Sequence, residues 1–132
     1  MTSNQFIRGT LWGAAGFNMY GAALFAFPAS YLGQLSGLPA AVPPLYRFLL
    51  ASFVFCFGCA YIWLAQQKSV SRLFVLFGAL DKTLVFFVVF ALWLAQESPL
   101  EHVLIISGDL AFAVMWVFWL ISTRQSASVD VR

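Results

Sequence analysis

Four stretches of this chain run for about twenty residues with at most two charged side chains each: Ile7 to Phe27, Leu45 to Ala65, Leu73 to Ala95 and Val103 to Ser122. About 20 mainly apolar residues is the length a helix needs to cross the hydrocarbon core of a bilayer. The run Leu84-Val85-Phe86-Phe87-Val88-Val89-Phe90 shows no alternation of polarity, which argues against the strands of a membrane barrel. The fold class predicted is therefore all-α, a four-helix transmembrane bundle with short loops. Composition agrees: 62% of the 132 residues are hydrophobic and only 9% are charged, against about 25% in soluble domains. A chain this short cannot hide that much apolar surface from water. A soluble enzyme, a disordered tail and a nucleic-acid module are excluded; the lipid bilayer is the first partner.

The connectors fit this division. Residues 28–44 contain Pro28, Gly33, Gly37, Pro39, Pro43 and Pro44, which stop helices and set turns. Its middle, Ser30 to Leu35, is amphipathic enough to lie at the interface. Gln66 to Arg72 is short and polar, and Gln96 to Pro99 is a tight turn. Ser98 is placed to cap the fourth helix and Pro99 to enter its first turn. Residues 123–132 form a polar tail, expected on the cytoplasmic side. The first apolar stretch is read as a span rather than a cleaved signal, because Asn18, several glycines and Pro28 interrupt that pattern.

Orientation follows from Lys and Arg. With four spans, both termini and the second connector share one side, which carries Arg8, Lys68, Arg72, Arg124 and Arg132; the other side has only Arg47. The positive-inside rule then places both termini in the cytoplasm, and a bacterial inner membrane is the simplest setting.

The candidate site consists of polar residues that lipid should exclude. Asp81 and Lys82 lie nine and ten residues past Arg72, roughly 13–15 Å deep at 1.5 Å per residue. Asp109 lies several residues inside the fourth span, and Asn18 and Tyr20 lie deep in the first. Each central charge costs at least about 2.5 kcal/mol, so these residues should face the interior and pair. Adjacent residues on a helix point about 100° apart, so Asp81 and Lys82 cannot share a partner direction. Lys82, with its long stem, is assigned to Asp109, leaving Asp81 for Asn18, Tyr20 or a water. Gly78 and Gly108 are expected to give room for close helix contact.

Arg47 opens the second span beside Tyr46. It is read as an anchor reaching lipid phosphates, with a turn inward toward Asp109 as the alternative. The ligand-binding set is thus Asn18, Tyr20, Arg47, Asp81, Lys82 and Asp109. It would form a pocket for a lipid head group, a quinone-like ring or a proton, or a contact for a membrane partner subunit or a second copy.

Other motifs carry less chemistry. Cys56-Phe57-Gly58-Cys59 is a C-x-x-C in mid-helix, where apolar surroundings keep thiols inert; Ser52, Cys56 and Ala60 read instead as a small-residue packing stripe. Gly9 and Gly13 form a GxxxG expected to pack the first helix inside the bundle. The lone His102 and the nearby Glu97 and Glu101 fall short of a metal site. Trp12, Tyr46, Tyr61, Trp63, Trp93, Trp116 and Trp119 read as an aromatic belt. No catalytic residues, metal or cofactor are assigned.

The segments Phe17-Asn18-Met19-Tyr20-Gly21, Gly78-Ala79-Leu80-Asp81-Lys82 and Gly108-Asp109-Leu110-Ala111-Phe112, set in four short spans, resemble small bacterial membrane proteins of the DoxX-like type. The resemblance implies a four-helix inner-membrane protein, some of whose relatives are subunits of quinone-linked oxidoreductases. The function expected is that of an accessory or ligand-binding membrane protein, with an oxidoreductase subunit and an oligomeric transporter as alternatives.

Overall fold

The computed structural model describes residues 2–129, with side chains described through Thr123. Arg132 lies outside the described residues, as does the side chain of Arg124. Five helices follow one another: α1 Ser3–Ala26, α2 Tyr31–Leu35, α3 Pro44–Gln66, α4 Arg72–Leu94 and α5 Leu100–Val129. No strand occurs among the described residues. Helices α3, α4 and the Leu100–Thr123 part of α5 are long and apolar enough to cross a membrane. Helix α1 matches them in length, with 24 residues, but Asn18, its glycines and its polar first turn make it less apolar. Helix α5 begins three residues earlier than expected and runs on to Val129, into the stretch expected as a polar tail.

Local chemistry sets the boundaries. At the start of α1, Gln5 N–H donates to Thr2 Oγ1 at 3.3 Å and Thr2 N–H to Gln5 Oε1 at 3.0 Å, a reciprocal capping box. Helix α2 starts at Ser30, whose hydroxyl accepts from Gly33 N–H at 3.2 Å. Gly33 is required there, because a Cβ would stand 2.3 Å from the Pro28 carbonyl oxygen. Pro44 opens α3, where its fixed φ suits a first helical position. Helix α4 ends with Glu97 N–H donating to the Leu92 carbonyl and Gln96 N–H to that of Trp93, both at 2.9 Å. This is a Schellman arrangement, normally built on glycine; here Gln96 adopts the left-handed conformation, with φ of 61°.

The helices run up and down. Arg8 meets the end of α3 and Asn18 its middle; Arg72 meets Leu120 of α5, and Lys82 meets Asp109. Thus α1 lies antiparallel along α3, and α4 along α5. The two pairs join where α1 crosses α5, Gly13 against Phe112 and Gly108 against Phe17. Between α3 and α4 the contact is made by rings: Phe57 stacks on Phe77 with centroids 6.3 Å apart, and Trp63 meets Phe74 edge-on at 5.9 Å. Ile7, Leu11, Leu64, Val75 and Trp116 are completely enclosed. Phe53, Leu73, Phe77, Leu84 and Phe118 stand more than half exposed, and such outward apolar faces suit lipid rather than water.

Two arginines tie the end that holds the α3–α4 connector. Arg8 donates to the carbonyls of Ala65 and Gln67, and to that of Lys68 at 3.0 Å. These carbonyls lie at the C-terminus of α3, where orphan acceptors and the negative end of the helix dipole favour a cation. Arg72 donates to the Leu120 carbonyl at 2.6 Å and to Thr123 Oγ1, with its guanidinium 5.6 Å from the Trp119 ring. At the other end, His102 pairs through Nδ1 with Ser98 Oγ at 2.8 Å and through Nε2 with the Gly37 carbonyl at 3.0 Å. Ser98 therefore turns its hydroxyl to His102, where a helix cap was expected, and His102 fastens the long connector to α5.

Candidate functional site

The polar centre is built on Lys82. Its ammonium forms an ion pair with Asp109 Oδ1 and donates to Asn18 Oδ1 at 3.1 Å. Asn18 in turn donates from Nδ2 to the Val54 carbonyl at 3.3 Å. One chain of polar contacts so links α5, α4, α1 and α3. Only 2% of Lys82 is exposed, and Asn18 and Asp109 are also buried. Four rings close around the ammonium: Tyr61 at 5.3 Å, Phe112 at 5.7 Å, Phe17 at 5.9 Å and Trp116 at 6.0 Å from their centroids. Such rings offer their negative faces to a cation. Lys82 is thus met by a carboxylate, an amide oxygen and an aromatic cage.

Glycines make this geometry possible. A Cβ on Gly78, one turn before Lys82, would stand 2.8 Å from Trp116 Cζ3 and 3.3 Å from the Tyr61 hydroxyl; one on Gly108 would meet Phe17 at 3.1 Å. Gly58 brings α3 against α1, with Met19 Cε 2.9 Å from the point a Cβ would occupy. Trp116 is fixed by donation from Nε1 to Thr10 Oγ1 at 3.0 Å.

The other expected site residues are placed differently. Asp81 is half-buried and has no hydrogen-bond or ion-pair partner among the described residues. Asn18, expected as one of its partners, is taken by Lys82. Tyr20, the other expected partner, is 45% exposed on the outer surface of α1 and does not join the Lys82 set. Arg47 does not turn inward to Asp109; its guanidinium lies 4.8 Å from the Phe48 ring, and its Nε is buried without a partner. The structure therefore brings together Asn18, Lys82 and Asp109, sets Asp81 beside them and leaves Tyr20 and Arg47 apart.

Tyr61 and Trp116 correct the belt reading. They are 2% and 0% exposed, and their rings meet edge-on at 5.1 Å inside the bundle. The Tyr61 hydroxyl is buried without a partner. Buried hydroxyls are nearly always paired, so Tyr61 belongs with the candidate site. Its position between Phe57 and Trp63 in an apolar stretch of α3 gave no sign of this.

The remaining motifs resolve simply. Cys56 and Cys59 are free and exposed on the surface of α3. Ser52 is exposed as well, so the Ser52–Cys56–Ala60 stripe does not form the helix contact; Ala51, Gly58 and Ala65 are the buried small residues of α3. Of the first-helix glycines, Gly13 packs against Phe112, while a Cβ on Gly9 or Gly16 would meet nothing within 4 Å. No group of three or more metal-ligating residues occurs among the described residues.

Comparison with known proteins yields no matching family model, no matching curated protein and no matching solved structure.

Proposed function

We propose that this chain is a four-helix integral membrane protein of the DoxX-like type, with α1 as the fourth span. In this reading it binds an amphipathic, lipid-like or quinone-like molecule at an intramembrane site centred on Asp81. The placement of Asp81 carries the reading. It lies nine residues along α4 from Arg72, roughly 13 Å into the membrane at the helical rise. A carboxyl there costs at least about 2.5 kcal/mol without a partner, and the neighbouring cation is already satisfied by Asp109 and Asn18. A hydroxyl or amine on a membrane-soluble molecule would supply what Asp81 lacks, and the unpaired Tyr61 hydroxyl offers a second polar contact. The Lys82–Asp109–Asn18 cluster would hold the four helices around this position. The distribution of Lys and Arg supports cytoplasmic termini, and a bacterial inner membrane is the simplest setting.

Mass spectrometry of small molecules retained through purification in mild detergent tests the reading. A bound amphiphile is expected with the wild type and a loss of about tenfold or more with Asp81→Leu, the value of one charge-assisted hydrogen bond. A wild-type preparation free of any such molecule, or equal retention by Asp81→Leu, overturns it.

A further inference from the structure

We infer that a glycerophospholipid binds on the outer surface between α1 and α3, its phosphate held by Arg47 and one acyl chain lying in the groove below. This site is separate from Asp81 and does not rest on the function proposed there. Three observations converge on it.

The first is the groove. Met19, Ala22 and Ala26 of α1 form one wall, and Phe48, Ser52 and Phe55 of α3 the other. Small residues on α1 opposite large rings on α3 leave a furrow open to the surroundings. From Phe48 to Cys56, the last α3 residue lining it, eight residues cover about 12 Å at 1.5 Å per residue. That is most of the ~15 Å depth of one leaflet. The groove thus has the direction and length of an acyl chain.

The second is Arg47. Its guanidinium lies 4.8 Å from the ring of Phe48, which forms the upper wall of the groove, and its Nε is buried with no partner. A guanidinium presents a planar fork of donors that matches phosphate oxygens. Lys82–Asp109 is the ion pair among the described residues, so no protein carboxylate there competes for Arg47.

The third is the start of α3. This 23-residue helix has no side-chain cap and no acidic residue in its first turn. Pro44 has no N–H, and Tyr46 and Arg47 donate theirs to the Pro43 carbonyl at 3.1 and 3.3 Å, so the Leu45 N–H and the positive end of the helix dipole are what this end offers beside Arg47, an arrangement that favours an anion. A phosphate there would meet both the helix end and the guanidinium, with its acyl chain directed down the furrow.

The test is native mass spectrometry of the detergent-purified full chain after incubation with phosphatidylglycerol or with diacylglycerol, which lacks the phosphate. Wild type is expected to keep one phosphatidylglycerol and no diacylglycerol. Arg47→Gln should cut retention at least about tenfold, as loss of a charge-assisted bidentate contact does. Ser52→Trp, which fills the groove and leaves Arg47 intact, should do the same, while Lys68→Gln at the opposite end should retain the lipid. Circular dichroism of each variant verifies the fold. If Arg47→Gln does not fold, Arg47→Lys serves in its place and should weaken retention while keeping the charge. Equal retention by the Arg47 and Ser52 variants, equal binding of diacylglycerol, or a dimer abolished by Ser52→Trp in place of a bound lipid would overturn the proposal. Small-molecule content in the same spectra reports on Asp81 independently, so either site can fail alone.

Discussion

The Nζ of Lys82 on α4 and Oδ1 of Asp109 on α5 form an ion pair with only 3% and 11% of their side chains exposed. Removing one partner of a buried pair strands the other charge and typically costs about 3–5 kcal/mol, whereas replacing both with apolar residues is often neutral. Lys82→Met or Asp109→Leu should each destabilise the bundle by about 3 kcal/mol, and the double variant should recover most of the loss. Unfolding midpoints in detergent check this, and an additive double variant would deny the pair its coupling.

Gly78 and Gly16 make opposite predictions for the same change. Alanine at Gly78 would bring a Cβ to 2.8 Å from the Trp116 ring in a packed interior, so α4 and α5 must separate. A loss of about 1–3 kcal/mol follows, the usual cost of overpacking. Gly16 has nothing within 4 Å, so Gly16→Ala should be neutral or stabilising by about 0.5–1 kcal/mol through helix propensity. Thermal unfolding of the two variants side by side decides it.

Gln96 holds a left-handed conformation, with φ of 61°, at the end of α4. That conformation costs a residue with a Cβ roughly 1–2 kcal/mol relative to the right-handed one, and glycine adopts it freely. Gln96→Gly is expected to raise stability by up to about 1 kcal/mol, after the greater freedom of glycine in the unfolded chain. A lowered melting temperature would contradict the Schellman ending.

Arg8 caps the C-terminus of α3 through the carbonyls of Ala65, Gln67 and Lys68. Arg8→Ala should cost about 1.5–3 kcal/mol, the range for hydrogen bonds to a charged group. Hydrogen exchange should rise locally at the last turn of α3 and the connector after it. Protection unchanged there would show that water replaces the guanidinium without loss.

Trp116 donates to Thr10 across α5 and α1 at 3.0 Å. Thr10→Val leaves the buried indole N–H without an acceptor and should cost about 1–3 kcal/mol. Trp fluorescence should shift at the same time, since the ring is fully enclosed.

Helix positions and the central pair could be read from the sequence because lipid makes those rules strict. A spanning helix must be long and apolar, which marked out both ends of α3 and α4 to within one residue and the start of α5 to within three. A charge at depth must be paired, and the length of Lys82 together with the 100° step from Asp81 pointed to Asp109. The same rules ranked α1 as a span alongside the others, although its polar first turn and Asn18 leave it less apolar than the three.

Which face of each helix turns inward was decided only by the tertiary structure. In a soluble protein a polar stripe marks the outside, but here both faces are apolar. Tyr61 and Trp116 could not be distinguished from Trp63 and Trp12 until packing enclosed the first two. Nor could Gly13 and Gly58 be separated from Gly9 and Gly16, since a glycine matters only where another helix approaches, whereas Gly78 and Gly108 stood out by their place beside the central charges. Arg8 finds its acceptors 57 to 60 residues away, and no local spacing encodes that. The sequence determined where charge is costly and which residues must share that cost. The fold alone determined that Asn18 joins Lys82 and Asp109 while Asp81 does not, because three packed helices converge on the ammonium and on only one side of α4.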